Sequence, residues 1–387
     1  MKLLGKKQWD MFLFIAAIAI FAVFIICLFF RNPPVRRPAR TVLNVSSHFT
    51  ELFGADIAKT VILEYEEQNP HMQVHLVNQG SVPETESAPD IIFFDDDTLS
   101  GLVKASALAS LDPYMYSGER NGTTQLALPL VSFVDLFFYN IDILAVSGRI
   151  RPPKTRAELH DTAKAVSAQD GVFPLALGLG AGVSHNGMNQ AVRRAIYPWI
   201  WADGPAILDR GSLSKAAANT IIFINQLNRE GLLEPGIFEK TGSQYLGEFA
   251  EGKIAMIAAS SRHLPYLRQQ GINLGVTALP ATAVGKNRLG LSRIYAGISA
   301  NCALPDEAWA FLNLIAGKSQ VLAQALGAVP GSYPANFPGE YIKEDELLSK
   351  AWEIFVAAEI AEFQTGTPEE EETARLILER INQVFGK

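Results

Sequence analysis

Hydrophobic positions are spread along this chain in two contrasting ways. Residues 11–30, MFLFIAAIAIFAVFIICLFF, form an unbroken apolar run without a charged side chain. A helix of that length spans roughly 30 Å, about the hydrocarbon thickness of a bilayer. The run therefore predicts one transmembrane helix. From residue 41 onward the apolar positions break into short strands and amphipathic helices, the pattern of a globular body.

In that body, strand and helix patterns alternate. An apolar run over 42–45 precedes Ile57, Val61 and Tyr65, which fall at helical spacing until Asn69-Pro70 stops the helix. Met72, Val74 and Leu76 alternate as in a strand. Pro89-Asp90 opens a continuous apolar run over 91–94, suited to a strand covered on both faces, and a helix follows over 98–107. Thr155 and Glu158 have the spacing of a capping box. Ala217, Ile221, Ile224 and Leu227 stripe a helix over 215–228 that Gly231 closes. Strands are expected over 253–258 and 274–278, and a helix from Pro305 through 315. Thr367-Pro368 and the glutamates after it open a last helix with cap, N1 proline and acidic first turn in order. Alternation of this kind argues for α/β architecture.

Composition sharpens the picture in three places. The net charge of −7, with no long basic run, speaks against nucleic acid as a partner. Of two cysteines, Cys27 lies in the apolar run and Cys302 in the body, so disulfides do not staple the fold. Residues 31–40, RNPPVRRPAR, read as a semi-rigid extended linker. An uncleaved anchor over 11–30 is the favoured reading, against cleavage or lipidation. No Ala-x-Ala follows the run, and Ile26 precedes Cys27 where lipidation needs a small residue. Lys2, Lys6 and Lys7 before the run balance Arg31, Arg36, Arg37 and Arg40 after it, so charge alone leaves the orientation open.

Six stretches, in order and in register, resemble the family-1 extracellular solute-binding proteins of bacterial ABC importers, the maltose-binding-protein-like group. They are PDIIFFDDDTLSGLVKASALASLDPY (89–114), LALPLVSFVDLFFYNIDIL (126–144), RPPKTRAEL (151–159), GEFAEGKIAMIAASSRH (247–263), YAGISANCALPDEAWAFLNLIAG (295–317) and LGAVPGSYPA (326–335). The resemblance implies a two-lobe periplasmic-binding-protein-like clamp, each lobe a sheet flanked by helices. Lobe one would be 41–132 and 281–323, and lobe two 135–276 and 326–387. The chain would pass between them near 131–135, 275–281 and 322–327. It also implies a receptor that delivers a small solute to an ABC permease with a separate ATPase. The solute would be a sugar, oligosaccharide or related polyol, possibly anionic. The body would lie outside the cytoplasmic membrane as a monomer, with residues 1–10 in the cytoplasm. No cofactor, metal or catalysis is implied.

Candidate site residues follow from both lines of reading. Asp95, Asp96 and Asp97 follow a buried strand, where ligand crevices of α/β sheets open, though Asp97 could simply cap the next helix. Ser47 and His48 follow the first strand, and Phe133 sits beside a predicted passage. Trp199 and Trp201 lie two apart; in extended chain both rings face one way and could stack on a sugar, or else fill the core. Arg262 and His263 stand where the family often carries tryptophan. Ser292, Arg293 and Tyr295 stand where it often has a glycine loop. Two arginines near one cleft would favour an anionic group. Tyr333 follows the third passage.

Other chemistry finds little footing. There is no G-x-S-x-G elbow and no P-loop, and Gly178, Gly180 and Gly182 give an incomplete dinucleotide pattern. His71 and His75 fall in a predicted strand with no third ligand nearby in sequence. An anchored envelope hydrolase and a sensor co-receptor stay open as alternatives.

Overall fold

The computed structural model of the chain describes residues 11, 14–23, 40–78, 88–115, 125–180, 187–204, 206–283, 288–330, 340–361 and 368–386. Met11 and residues 14–23 are helical, with Phe14, Ile18 and Phe21 exposed. The rest of the expected 11–30 span, the flank 1–10 and all but Arg40 of the linker lie outside the described residues. Among the described residues, no helix is long and apolar enough to cross a membrane.

The body opens with β1 (Thr41–Ser46), α1 (His48–Phe53), α2 (Ala55–Gln68), β2 (Met72–Val77), β3 (Ile91–Asp95) and α3 (Asp96–Lys104). Next come β4 (Leu128–Asn140), α4 (Ile141–Val146), α5 (Arg156–Val166), β5 (Phe173–Ala176) and α6 (Gly187–Asp203). A small hairpin, β6 (Leu208–Asp209) and β7 (Ser212–Leu213), leads to α7 (Lys215–Arg229), α8 (Gly242–Ala250), β8 (Ile254–Ser260), α9 (Leu264–Gln269) and β9 (Leu274–Thr277). The chain then runs through β10 (Arg288–Ile298), α10 (Pro305–Gly317), α11 (Ser319–Leu326), β11 (Val329–Pro330), α12 (Glu340–Lys343), α13 (Glu346–Ala357), β12 (Glu359–Ala361) and α14 (Pro368–Phe385). The capping box closes at the start of α5: Thr155 accepts from the Glu158 amide, and Glu158 reaches back to the Thr155 amide. Its two orphan amides are thereby satisfied.

Ten strands form a single sheet in the order β2-β1-β3-β10-β4-β8-β5, with β9, β11 and β12 attached at β4 and β10. The apolar side chains beneath that sheet nevertheless fall into separate cores. One gathers Leu43, Val45, Phe49, Phe93, Val131, Phe133, Ile294, Phe311 and Leu322. Opposite faces of the other half hold two more, one around Phe137, Trp199, Ile221 and Met256, the second around Val134, Phe138, Phe249, Ile257 and Phe355. A small cluster of Ile92, Phe94, Leu108 and Tyr295 covers the far face of the first half.

Three segments pass from the first cored body to the second. Strand β4 pairs with β10 and β11 through Val134, and with β8 and β9 from Asp135 onward. Strand β10 places Leu289 and Leu291 against the second body, and Ile294, Ala296 and Ile298 in the first. The third passage follows α11, between Ala328 and Val329. The middle passage therefore lies along β10, near Ser292 and Arg293, and not near 275–281. Thr277 still pairs with Phe137, Ala281 bridges to Thr155, and Arg288 pairs with Glu359. Those ladder bonds hold residues 274–277, Ala281 and residues 288–290 to the second body.

Candidate functional site

Strand register brings the candidate residues to the junction of the two bodies. Along β4, Ser132 stands opposite Arg293, Phe133 opposite Ser292, and Asp135 opposite Ser260 at the end of β8. The Ser260 and Ser292 hydroxyls come within 3.5 Å, so β8 and β10 meet at a fork. The tight turn of Ser261–His263 follows at once. There the Ser261 hydroxyl accepts the Val134 amide at 3.1 Å, and the Arg262 guanidinium lies 5.9 Å from the centre of the Phe133 ring.

Helix α3 delivers Asp96 from the other side. Its carboxylate accepts the backbone N–H of Arg293 and, at 3.0 Å, the hydroxyl of Tyr295. Helix α6 packs across β10, with Trp201 seated on Gly290. A Cβ at residue 290 would stand 2.5 Å from Asp135 Oδ2 and 2.6 Å from Trp201 Cζ3, so only glycine permits this approach. Arg194 precedes Trp201 by two helical turns and so shares its face. It acts electrostatically on Asp135 and His263, while Arg193 acts on Asp96.

Burial reshapes the acid–base behaviour of these groups. It raises the Asp96 carboxyl, against the opposing pull of the Arg293 amide, the Tyr295 hydroxyl, and the Arg293 and Arg193 charges. Asp135 is pushed up to about 7, mainly by burial, with Arg194 opposing and Asp96 adding to the rise. His263 is pushed down to about 4 by burial and then by the charges of Arg262 and Arg194. Tyr295 rises to about 12 through burial and the neighbouring Asp96 charge. At neutral pH, then, His263 is an uncharged imidazole, and Asp135 lies near its titration midpoint.

The sequence-predicted residues divide between this junction and other places. Asp96, Ser292, Arg293, Tyr295, Arg262 and Trp201 all stand at the fork. Phe133 is 1 % exposed and belongs to the first core, offering only a ring face to Arg262. Asp95 caps α3, accepting the Thr98 amide at 3.1 Å and its hydroxyl at 2.9 Å, the role that the sequence suggested for Asp97. The Asp97 side chain and Tyr333 lie outside the described residues. Ser47 occupies the turn before α1, and His48 pairs with Glu51 at 3.4 Å. Trp199 and Trp201 are helical, not extended. Two residues along a helix turn through about 200°, so the rings diverge: Trp199 packs edge-on to Phe137 in the second-body core, and Trp201 faces β10.

Sequence reasoning passed over Asp135, Arg193, Arg194 and Gly290. Asp135 had a signal, since it is a lone acid inside the apolar run VSFVDLFFY. One contact also reaches from body to body: Lys104 Nζ of α3 donates to Glu371 Oε1 of α14 at 2.8 Å, with both side chains exposed. Among the described residues, no group of three or more His, Cys, Asp or Glu side chains is placed to hold a metal ion.

The sequence profile of the family described as bacterial extracellular solute-binding protein matches residues 47–321. No curated protein matches the chain by sequence. Several solved structures share its fold. The GacH receptor of Streptomyces glaucescens, solved unliganded and with acarbose and an acarbose homolog, is 16% identical with a TM-score of 0.66, covering 90% of this chain and 100% of its own. The cyclic α-maltosyl-1,6-maltose binding protein of Arthrobacter globiformis is 17% identical with a TM-score of 0.67, covering 90% and 98%. An ABC transporter solute-binding protein of Thermotoga lettingae, bound to α-D-tagatose, is 14% identical with a TM-score of 0.68, covering 90% and 95%. At such identities the likeness concerns the fold alone.

Proposed function

The chain belongs to the bacterial extracellular solute-binding protein family, and from that premise we propose that it is the membrane-tethered receptor of an ABC importer. Its solute is a sugar, an oligosaccharide or a related polyol, captured between two hinged lobes and handed to a permease. The first lobe is the body cored by Phe93 and Phe311, the second the body cored by Trp199 and Phe249. One observation carries the reading: β4, β10 and the step from Ala328 to Val329 lead from one separately cored body into the other, and polar side chains from both bodies meet near β4 and β10.

The physics of such an arrangement is a population shift. Each lobe keeps its own core while the connecting strands bend. A solute that touches both lobes has its full set of contacts only when they close, so its differential affinity selects the closed form. The residue 11–30 segment anchors the receptor, with the body on the extracytoplasmic side and residues 1–10 in the cytoplasm. Tethering of a monomer beside the permease raises its effective concentration there. The partner ATPase supplies the energy, and this chain performs no chemistry of its own.

The test is a thermal-shift screen of the full-length chain in mild detergent against sugars, oligosaccharides, polyols and amino acids. A ligand that binds only the folded state raises its melting temperature. At least one carbohydrate or polyol gives a saturable rise and is recovered unchanged. Turnover of the ligand, or a response confined to amino acids, would contradict the reading.

A further inference from the structure

We propose that Asp135 couples the clamp to pH: the lobes close with its carboxyl protonated and open more readily once it is ionised. The inference rests on the receptor reading above and adds a regulation to it. Strand β4 carries Phe133 into the first core and Phe137 into the second, and both side chains stand on one face of the strand. Asp135 lies between them on that same face. Of residues 131–138, every other one is buried, whereas Asp135 is half-buried. Water therefore reaches this stretch of β4 at Asp135, in the interval between the two cores.

The surroundings leave a charge on that carboxyl poorly served. Its register partner on β8 is Ser260, and its Oδ2 lies over Gly290 beside the Trp201 ring. Among the described residues, its oxygens make no hydrogen bond. Two charges act on it: Arg194 of α6 pulls its pKa down, and Asp96 of α3 pushes it up. The other charged or titratable groups nearby are spoken for. On β10, Arg288 pairs with Glu359 at 2.7 Å, and Arg293 alternates to the face opposite Ser292 and Gly290. In the turn after β8, Arg262 lies over the Phe133 ring, and His263 is an uncharged imidazole at neutral pH. Burial dominates the balance, and the Asp135 carboxyl is pushed up to about 7.

Bringing the two cores together removes the water that Asp135 keeps in this conformation. Loss of water disfavours the charged form of a carboxyl, so the closed form holds the proton more tightly than the open one. The contribution of that proton to closing is present at low pH and lost as pH rises past the closed-form pKa. His263, pushed down to about 4, and Tyr295, raised to about 12, do not change charge between pH 6 and pH 8. A proton that prefers one conformation selects it as a solute does, and by linkage the two favour each other's binding.

The experiment needs no solute. Spin labels at Val103→Cys on α3 and Ile222→Cys on α7 of the full-length protein in mild detergent, with Cys27 and Cys302 replaced by serine, report the separation of the lobes by pulsed electron resonance at pH 6 and pH 8. The short-distance population is larger at pH 6, and the ratio of closed to open falls about fivefold by pH 8. Asp135→Asn gives one distribution at both pH values, and Asp135→Ser repeats that result as a guard against misfolding. Arg194→Gln removes the opposing charge and moves the midpoint to higher pH, a displacement that a merely structural role would not produce. His75→Asn, at an exposed position of β2, keeps the parent's response. A two-state distribution that is the same at both pH values, a response of opposite sign, or one that survives Asp135→Asn overturns the coupling and leaves the receptor reading standing. A single narrow distribution at both pH values tells against both.

Discussion

Two clusters of the same residue types sit in this molecule and behave as opposites. Inside the second lobe, Arg156 Nη2 pairs with Asp203 Oδ2 at 2.8 Å and donates to the Trp199 carbonyl at 2.9 Å and the Thr220 hydroxyl at 2.7 Å. Asp203 in turn accepts the Thr282 amide at 2.5 Å and its hydroxyl at 2.7 Å. Every partner belongs to one lobe, and the arginine and aspartate side chains are only 7% and 6% exposed. At the β8–β10 fork, Arg262, Arg293, Asp96, Asp135 and His263 come from both sides of the junction, and the Asp96 carboxylate accepts from the Arg293 amide and the Tyr295 hydroxyl while the Arg293 charge acts on it. The lesson is that burial of charge alone does not mark a site. One network, with all its partners on one side of the junction, pins α5, α6, α7 and the 281–282 segment together, whereas the groups at the fork are drawn from both sides of it.

The largest effect expected from that contrast is structural. Arg156→Met leaves Asp203 buried without its counter-charge, a change that typically costs about 3–5 kcal/mol. The melting temperature followed by circular dichroism falls by ~10 °C, while solute affinity of the folded fraction is unchanged. A variant that melts like the parent would erase the distinction between the two clusters.

Next in size is a pair of pH effects at the fork, of opposite sign. The folded state keeps the Asp135 proton up to about pH 7, whereas the unfolded chain releases it near the ordinary carboxylate pKa of about 4. Its contribution to stability therefore falls as pH rises through that window. His263 titrates in the folded state at about 4, against about 6.5 when unfolded, so its contribution rises with pH over that window. Asp135→Asn makes the protein more stable than the parent near pH 8, with the gap closing toward pH 4. His263→Asn gives a gap at about pH 5 that vanishes above about pH 7. Each amounts to about 1–2 kcal/mol once partial access to water is allowed for. Parallel tilts in denaturant titrations across pH would show that the two groups do not share the environment described.

These contrasts also show how much was legible in the sequence. The capping box at Thr155, the buried strand at residues 91–94 and the striped helix of α7 could be read because each depends on a few neighbouring residues. Helix α6 could not. Pro198 and the run YPWIW argue against a helix, yet Ile196, Tyr197, Trp199 and Ile200 are each 2% exposed or less, and packing overrides the local preference. Three aspartates in a row hid which one caps α3, because the answer depends on a one-residue boundary. Asp135, Arg194 and Gly290 are brought together by tertiary packing alone, so spacing could not connect them.

The smallest effect concerns the rim. Lys104 and Glu371 join the lobes at 2.8 Å, but their side chains are 51% and 58% exposed. An exposed pair of this kind contributes less than about 1 kcal/mol. Lys104→Ala leaves the melting temperature within ~2 °C of the parent and weakens solute binding by no more than about fivefold.

The hinge itself is tested most directly by the distance between lobes. Spin labels at Val103→Cys on α3 and Ile222→Cys on α7, both exposed positions, with Cys27 and Cys302 replaced by serine, report on that distance in pulsed electron resonance. Two swinging lobes give a broad distribution without solute that collapses to a shorter, narrower one when the solute found by thermal shift is added. A single narrow distribution, the same with and without that solute, would contradict the clamp.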